Sequence, residues 1–322
     1  MIHDPTSPAH GAPAAHDRDC LHRFLFEHYP IRGHLVHLDA SWQALLEHRD
    51  YPPAIRDTLG EAAAASVLLA ATLKFDGTLS LQLQGRGPMH LMLAQCSSQL
   101  GIRAVARYRD APVTRDVLEL SGDGNLTVTL ENEDLSQRYQ GVVALTSDRL
   151  AACLQGYFEN SEQLPTRLWL HADEKGVSGM LLQRLSADSV AQRPGGLAGP
   201  RLELDPAEIE DAWHRVQLLA DTLKPEELHT LKDREILQRL FAEDDVRLFE
   251  SAPVFFRCRC SKERVVGMLR SLGADEVRSV LAERSNVEVR CDFCNRAYQF
   301  DSVDVEQIFS ATPPVDPTST VH

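Results

Sequence analysis

The sequence predicts an α+β fold: an N-terminal core with a mainly antiparallel sheet and packed helices, a helical linker, and a small C-terminal module built on cysteines. Three observations predict it. Strand-like segments of period two come in runs rather than alternating with helices, which favours antiparallel pairing over a doubly wound parallel sheet. A Pro- and Gly-rich stretch at 186–200 precedes two acidic amphipathic helical patterns. Four of the seven cysteines then fall in two close pairs near the end of the chain.

Residues 1–19 are rich in Pro, Ala and His without periodicity, and a disordered tail is expected there. Eight of the thirteen histidines lie in the first 48 residues, mostly six apart. Only His34 and His37 have the spacing of a helical ligand pair, so these histidines are read as solvated surface side chains. No basic region leads into an apolar one, so the N-terminus is not read as a secretory signal. The longest apolar-leaning run, Ala62 to Leu73, covers about three helical turns and is too short to span a bilayer. A cytoplasmic protein without a membrane partner is expected.

Residues 20–185 make the expected α+β core. Gly60 to Leu73 is Ala- and Leu-rich, reads as a buried helix, and stops at the Asp76-Gly77 turn signal. Leu79, Leu81 and Leu83 alternate with polar residues, a strand with one buried face. Gly85-Arg86-Gly87-Pro88 is a turn, because it lacks the third glycine and following helix of a dinucleotide loop. Met89 to Ala94 and Ile102 to Tyr108 read as further strands, as do Leu126 to Leu130 and, briefly, Gly141 to Leu145. Ser147-Asp148 is positioned to cap a helix running to about Phe158. Arg167 to His171 and Ser178 to Leu185 flank Asp173-Glu174-Lys175-Gly176, a hairpin signature.

Residues 186–250 read as a hinge followed by a metastable helical linker. Asp205-Pro206-Ala207-Glu208 supplies a cap, a first-turn proline and a carboxylate three residues after the cap. Ile209, Trp213, Val216, Ala220 and Leu223 then line one helix face. A second helix is expected from Pro225 to Phe241. Residues 201–250 carry 14 acidic and 7 basic side chains, and so hold half of the net charge of −14. Charge repulsion and shortness make such helices dependent on something that holds their apolar faces. The overall acidity argues against nucleic acid as a partner, since phosphate binding shows as a basic surplus.

Residues 251–310 form the C-terminal module, with a further disordered tail expected over 311–322. Cys258-x-Cys260 and Cys291-x-x-Cys294 each follow a strand-like run, and Lys262 to Leu281 between them is apolar at helical spacing. Two paired hooks in one module are the signature of a closed tetrahedral zinc site, so Cys258, Cys260, Cys291 and Cys294 are expected to bind one Zn2+. A module this small buries too little to hold itself together, whereas structural zinc contributes roughly 10–16 kcal/mol in small fingers. A four-thiolate site has no open position for substrate, which argues against a hydrolytic zinc enzyme. Zinc keeps the sulfurs as thiolates, the form that oxidants attack, so the cluster is a candidate redox sensor as well as a staple. Four cysteines allow three disulfide connectivities. Cys20, Cys96 and Cys153 are read as inert packing or surface thiols.

The order Cys-x-Cys, about thirty residues, Cys-Asp-x-Cys, behind an α+β core and an acidic linker, resembles the heat-shock-protein-33 family of redox-regulated chaperones. So do Leu73-Lys74-Phe75-Asp76-Gly77 with Leu81 to Gly85 and Gly87-Pro88-Met89, Tyr139 to Val143, Leu150 to Leu154, Ser161 to Arg167, and Gly179 to Gln183. The resemblance covers roughly residues 20–310 and not the His-rich extension. It implies a non-enzymatic, ATP-independent holdase that is zinc-bound and inactive when reduced. Oxidation would form Cys258–Cys260 and Cys291–Cys294 disulfides, release zinc, and lead to a homodimer that binds unfolding client proteins. Unfolding of the zinc module would remove the packing of the linker helices and expose the client-binding candidates Ile209, Trp213, Val216, Leu219 and Leu223. Two other readings fit parts of the sequence: a constitutive zinc-ribbon adaptor touching nucleic acid, and a thiol–disulfide oxidoreductase using Cys291 and Cys294. The acidic linker counts against the first, and the absence of a thioredoxin-like setting against the second.

Overall fold

The structure, a computed structural model, describes residues 18–47, 49–132, 138–186 and 205–310. The tail expected before Arg18, the hinge from residue 187 to 200 and the tail from 311 lie outside these. The chain divides between Arg257 and Cys258 into two units, each with its own core.

The first unit opens with β1 (Cys20–Phe26) and β2 (Ile31–Leu38), then α1 (Ala40–Leu46) and α2 (Pro53–Thr72). There follow β3 (Gly77–Gln84), β4 (Met89–Ser97), β5 (Gly101–Tyr108), α3 (Val117–Ser121), β6 (Asn125–Asn132), β7 (Arg138–Val143), α4 (Leu150–Asn160), β8 (Thr166–Ala172) and β9 (Val177–Arg184). The linker supplies α5 (Pro206–Ala220), α6 (Pro225–Thr230) and α7 (Asp233–Leu240), and short strands β10 (Val246–Leu248), β11 (Ala252–Pro253) and β12 (Phe255–Phe256) complete the unit. The first sheet has the order β10-β1-β2-β9-β8 with β11 also on β1, and the second β12-β5-β4-β3-β6-β7. Every pairing is antiparallel except β12 on β5, in line with the predicted α+β class.

Helix α2 packs against strands of both sheets and is buried on nearly all sides. Its Ala-rich sequence leaves room for this, and Pro53 begins it at a first-turn position. Gly60 marks a close approach, where an added Cβ would lie 2.6 Å from Ala172 Cβ. The helix starts seven residues before Gly60, where the apolar run gives no hint of it.

Both faces of the first sheet are covered. Val36, Leu38, Val177 and Leu181 face the cluster around α2. Alternate residues Phe24, Phe26, Ile31, Leu35, Met180 and Leu182 pack instead with the linker residues Ala212, Trp213, Val216, Leu228, Ile236, Leu237 and Leu240. Strands buried on two faces lose the period-two signal, which is why β1 and β2 are hard to read from sequence. The apolar faces of the linker helices are therefore held by the sheet of their own unit.

Several expectations need correction. The helix expected from Pro225 to Phe241 is broken, because Leu231 and Lys232 are extended (ψ 156° and 147°) before Asp233 opens a new helix. The Asp233 carboxylate is engaged by His22 and His37 of the first sheet, which fixes where α7 begins. Ser147 and Asp148 do not cap α4, whose N-cap is Arg149 without a side-chain bond. Arg18 and Asp19, assigned to the N-terminal tail, are tied down. Asp19 accepts hydrogen bonds from the backbone N–H groups of Asp39, Ala40 and Ser41 at 2.8–3.1 Å and so caps α1 from a distance. His34 and His37 are buried rather than solvated.

The second unit contains α8 (Lys262–Leu272), α9 (Ala274–Arg284), the antiparallel pair β13 (Val287–Arg290) and β14 (Ala297–Phe300), and α10 (Ser302–Ser310). The continuous helical pattern expected over Lys262 to Leu281 is interrupted at Gly273, whose φ of +98° few other residues adopt. Among the described residues, the buried apolar side chains of this unit are Leu269, Val277, Val287, Phe300, Val305 and Ile308. Such a core is small enough to need a staple. Residues 251–257, given to this module by sequence, pair with the sheets of the first unit.

Candidate functional site

The four clustered cysteines come from two turns of the second unit. Cys258 and Cys260 precede Ser261, which caps α8 by accepting from the Arg264 N–H at 3.3 Å. The Arg264 guanidinium also donates to the Arg259 carbonyl at 2.8 Å, closing the first hook onto the helix. The second hook lies between β13 and β14, where the Cys291 N–H donates to the Arg296 carbonyl and the Asn295 N–H to the Cys291 carbonyl. Asn295 has φ +54°, the left-handed conformation that lets the turn close, and asparagine adopts it readily.

All four sulfurs lie within 4.8 Å of one another. Across the hooks Cys258 Sγ is 3.5 Å from Cys291 Sγ, and Cys260 Sγ is 3.4 Å from Cys294 Sγ. A tetrahedron with zinc–sulfur bonds of about 2.3 Å spaces its corners by about 3.8 Å. The donor set fits one such ion after small outward shifts. Each cysteine is half-buried, so small oxidants have access to the sulfurs.

The thiols are not equivalent. Burial pushes Cys258 and Cys294 up. Burial also acts on Cys260, but the Tyr298 hydroxyl, donating to its sulfur at 3.1 Å, and the neighbouring thiols outweigh it and bring Cys260 down to about 7. Tyr298 is a site residue that sequence reasoning missed. It reaches Cys260 only because β14 pairs it with Val289, a register no cysteine spacing reveals.

The client-binding candidates fall in the linker. Trp213 and Val216 are buried against the first sheet, Leu219 and Leu223 are partly buried beside them, and Ile209 is half-buried outside that cluster. Polar contacts fasten the same helices. Arg215 makes a bidentate pair with Asp244 at 2.7 Å, and the Trp169 indole donates to Asp221 at 3.0 Å. The three remaining cysteines are all buried; burial lifts Cys96 to about 12, and Cys153 donates to the Ser147 carbonyl. Among the described residues no helix is long and apolar enough to cross a membrane.

Comparison with known proteins agrees with this arrangement. The sequence profile of the family described as Hsp33 protein matches residues 19–301. The 33 kDa chaperonin of Methylobacillus flagellatus is 45% identical over 293 residues, covering 91% of this chain and 94% of that protein. The 33 kDa chaperonin of Nitrosococcus oceani is 44% identical over 306 residues, covering 95% and 99%. The crystal structure of a 33 kDa chaperonin (heat shock protein 33 homolog) from Thermotoga maritima superposes with a TM-score of 0.74 at 20% identity, covering 91% of this chain and 98% of that one.

Proposed function

This chain belongs to the Hsp33 family, and from that premise we propose that it is a redox-regulated, ATP-independent holdase rather than an enzyme. In the reduced state Cys258, Cys260, Cys291 and Cys294 hold one zinc ion, which keeps the second unit folded. An oxidant such as peroxide takes two electrons from each of two thiolate pairs and is reduced to water. Once joined as disulfides, the sulfurs no longer hold the metal. The proposed pairs are Cys258–Cys260 and Cys291–Cys294. Sulfur contacts of 3.5 and 3.4 Å instead run between the hooks, so peptide mapping of the oxidised chain is the decisive check on this point.

The observation that carries the proposal is the covered face of the first sheet. Phe24, Phe26, Ile31, Leu35, Met180 and Leu182 are buried beneath an acidic, amphipathic linker. Lifting that linker would expose two apolar surfaces at once, one on the sheet and one on α5 through Trp213 and Val216. Such a patch suits unfolding proteins and also a second copy of the chain, which accounts for dimerisation on activation. The linker's negative charge keeps the complex in solution. We place the chain in the cytosol, and its net charge of −14 argues against nucleic acid as a partner.

The test follows zinc content, free thiols and suppression of client aggregation in the same samples, before and after peroxide at mild heat. The expected result is loss of one zinc and four thiols together with a rise in aggregation suppression. Zinc that stays bound, or leaves without any gain in holding activity, would reduce the cluster to a structural staple.

A further inference from the structure

A second group of metal-binding side chains lies within the first unit, on the linker-facing side of the first sheet. The β1–β2 ladder sets Cys20 opposite His37, and His22 follows two residues on, so strand alternation brings all three to one face. Asp233 meets them from the start of α7. Its Oδ1 is 2.6 Å from His37 Nε2 and its Oδ2 is 2.6 Å from His22 Nδ1. Cys20 Sγ is 3.8 Å from the same His22 nitrogen. Cys20, His22 and Asp233 offer sulfur, nitrogen and oxygen donors all within 4.8 Å of one another.

One feature distinguishes this from a plain buried ion pair. His22 Nδ1 carries one proton or one lone pair, yet it meets both a thiol and a carboxylate oxygen. Asp233 Oδ2 is buried and lies 2.6 Å from His22 Nδ1, the same nitrogen that meets the Cys20 thiol, so carboxylate and thiol converge on one ring atom. A metal ion between the three donors would give each of them a bond of its own.

We propose that Cys20, His22 and Asp233 form a second site for a divalent ion of borderline softness, with Zn2+ the natural occupant. The thiolate, the imidazole Nδ1 and the carboxylate Oδ2 are the ligands. His37 is a positioning residue that donates from Nε2 to the other carboxylate oxygen and so orients the ligand. A tetrahedral zinc ion spaces its sulfur and nitrogen ligands by about 3.6 Å, close to the separation of Cys20 and His22, and its nitrogen and oxygen ligands by about 3.3 Å. The second spacing requires the Asp233 side chain to withdraw by well under 1 Å, a rotation available in the first turn of a helix. Because β1 and β2 belong to the sheet and Asp233 to the linker, the ion would fasten α7 to the surface it covers. The site stands on these residues alone and does not depend on the holdase reading.

The test uses the full chain, reduced and stripped of metal, titrated with Co2+ and read by visible absorption and by bound metal per chain. Two ions per chain are expected, one of them giving the intense sulfur-to-cobalt bands of the four-cysteine site. Cys20→Ser, nearly isosteric and therefore expected to fold, should bind one ion and keep those bands. Asp233→Asn should do the same, with the far-ultraviolet circular dichroism of both variants checking that they are folded. A wild-type stoichiometry of one ion would overturn the proposal. So would a second ion that persists in both variants, since it would belong elsewhere, for example to the N-terminal histidines.

Discussion

Cys260 is shifted the opposite way from Cys258 and Cys294, by the Tyr298 hydroxyl together with the neighbouring thiols. Tyr298 donates to its sulfur, and a thiol near 7 is about half ionised at neutral pH, whereas an ordinary thiol near 8.5 is only a few per cent ionised. In reduced protein trapped immediately after chelation, before the second unit unfolds, Cys260 should therefore be alkylated before Cys258, which burial pushes the other way. Tyr298→Phe removes the donor and should move the midpoint of the Cys260 rate–pH profile upward by about one unit or more. Its alkylation near pH 7 should slow by only roughly threefold, because a more basic thiolate is also a better nucleophile. Mass spectrometry of peptides trapped over a pH series reads both quantities. A midpoint that does not move would assign the depression to the neighbouring thiols. The cysteines themselves were legible in the sequence because metal-ligand spacing is local. Tyr298 was not, because its role arises from the β13–β14 pairing. The histidines were misread for a related reason. His22 and His37 look like scattered polar residues until strand alternation and Asp233 bring them together.

At the scale of elements, the linker helices show both what periodicity conveys and where it stops. The cap and first-turn proline of α5 were legible, and the structure forms the capping box with Asp205 and Glu208. The breaks at Leu231-Lys232 and at Gly273 were missed, because an apolar pattern continues across a short extended segment without losing phase. What the linker covers was also illegible, since a sheet face shows its partner only in three dimensions. Trp213 is the largest anchor on that face. Trp213→Ala should weaken linker docking by about 3–5 kcal/mol, enough to let α5 open locally while the core stays folded. The reduced protein should then bind hydrophobic dye and suppress client aggregation without oxidant, while still holding its zinc. Ile209→Ala, at a half-buried position outside the cluster, should change either readout little. If Trp213→Ala leaves the reduced protein silent although its linker opens, the covered face is not the client surface.

For the whole molecule the question is how chemistry at the cysteines reaches a helix packed on the first sheet. The chain offers a direct route. After α7, β10 and β11 add to the edge strand β1, and β12 then pairs in parallel with β5 of the other sheet. The last bonds of this strap run from Phe255 N–H to the Leu100 carbonyl at 3.3 Å and from Arg257 N–H to the Ile102 carbonyl at 2.8 Å, and Cys258 follows at once. Two- and three-residue strands are marginal, so tension or disorder arriving through Cys258 meets the weakest pairing first. The antiparallel character of the core was evident from its strand runs, but this strap was not, because pairs such as β1 with β10 join residues more than two hundred apart. Oxidation with loss of zinc should therefore speed hydrogen exchange at Phe255 and Arg257 first and at the β10 residues next, with amides of α5 and α7 following. Amides of α2, buried in the main core, should keep their protection. Exchange that quickens in the linker while Phe255 and Arg257 remain protected would show that the signal bypasses the strap. Equal loss of protection across α2 would mean that the first unit unfolds as a whole, and the linker would then have no separate role as the switched element.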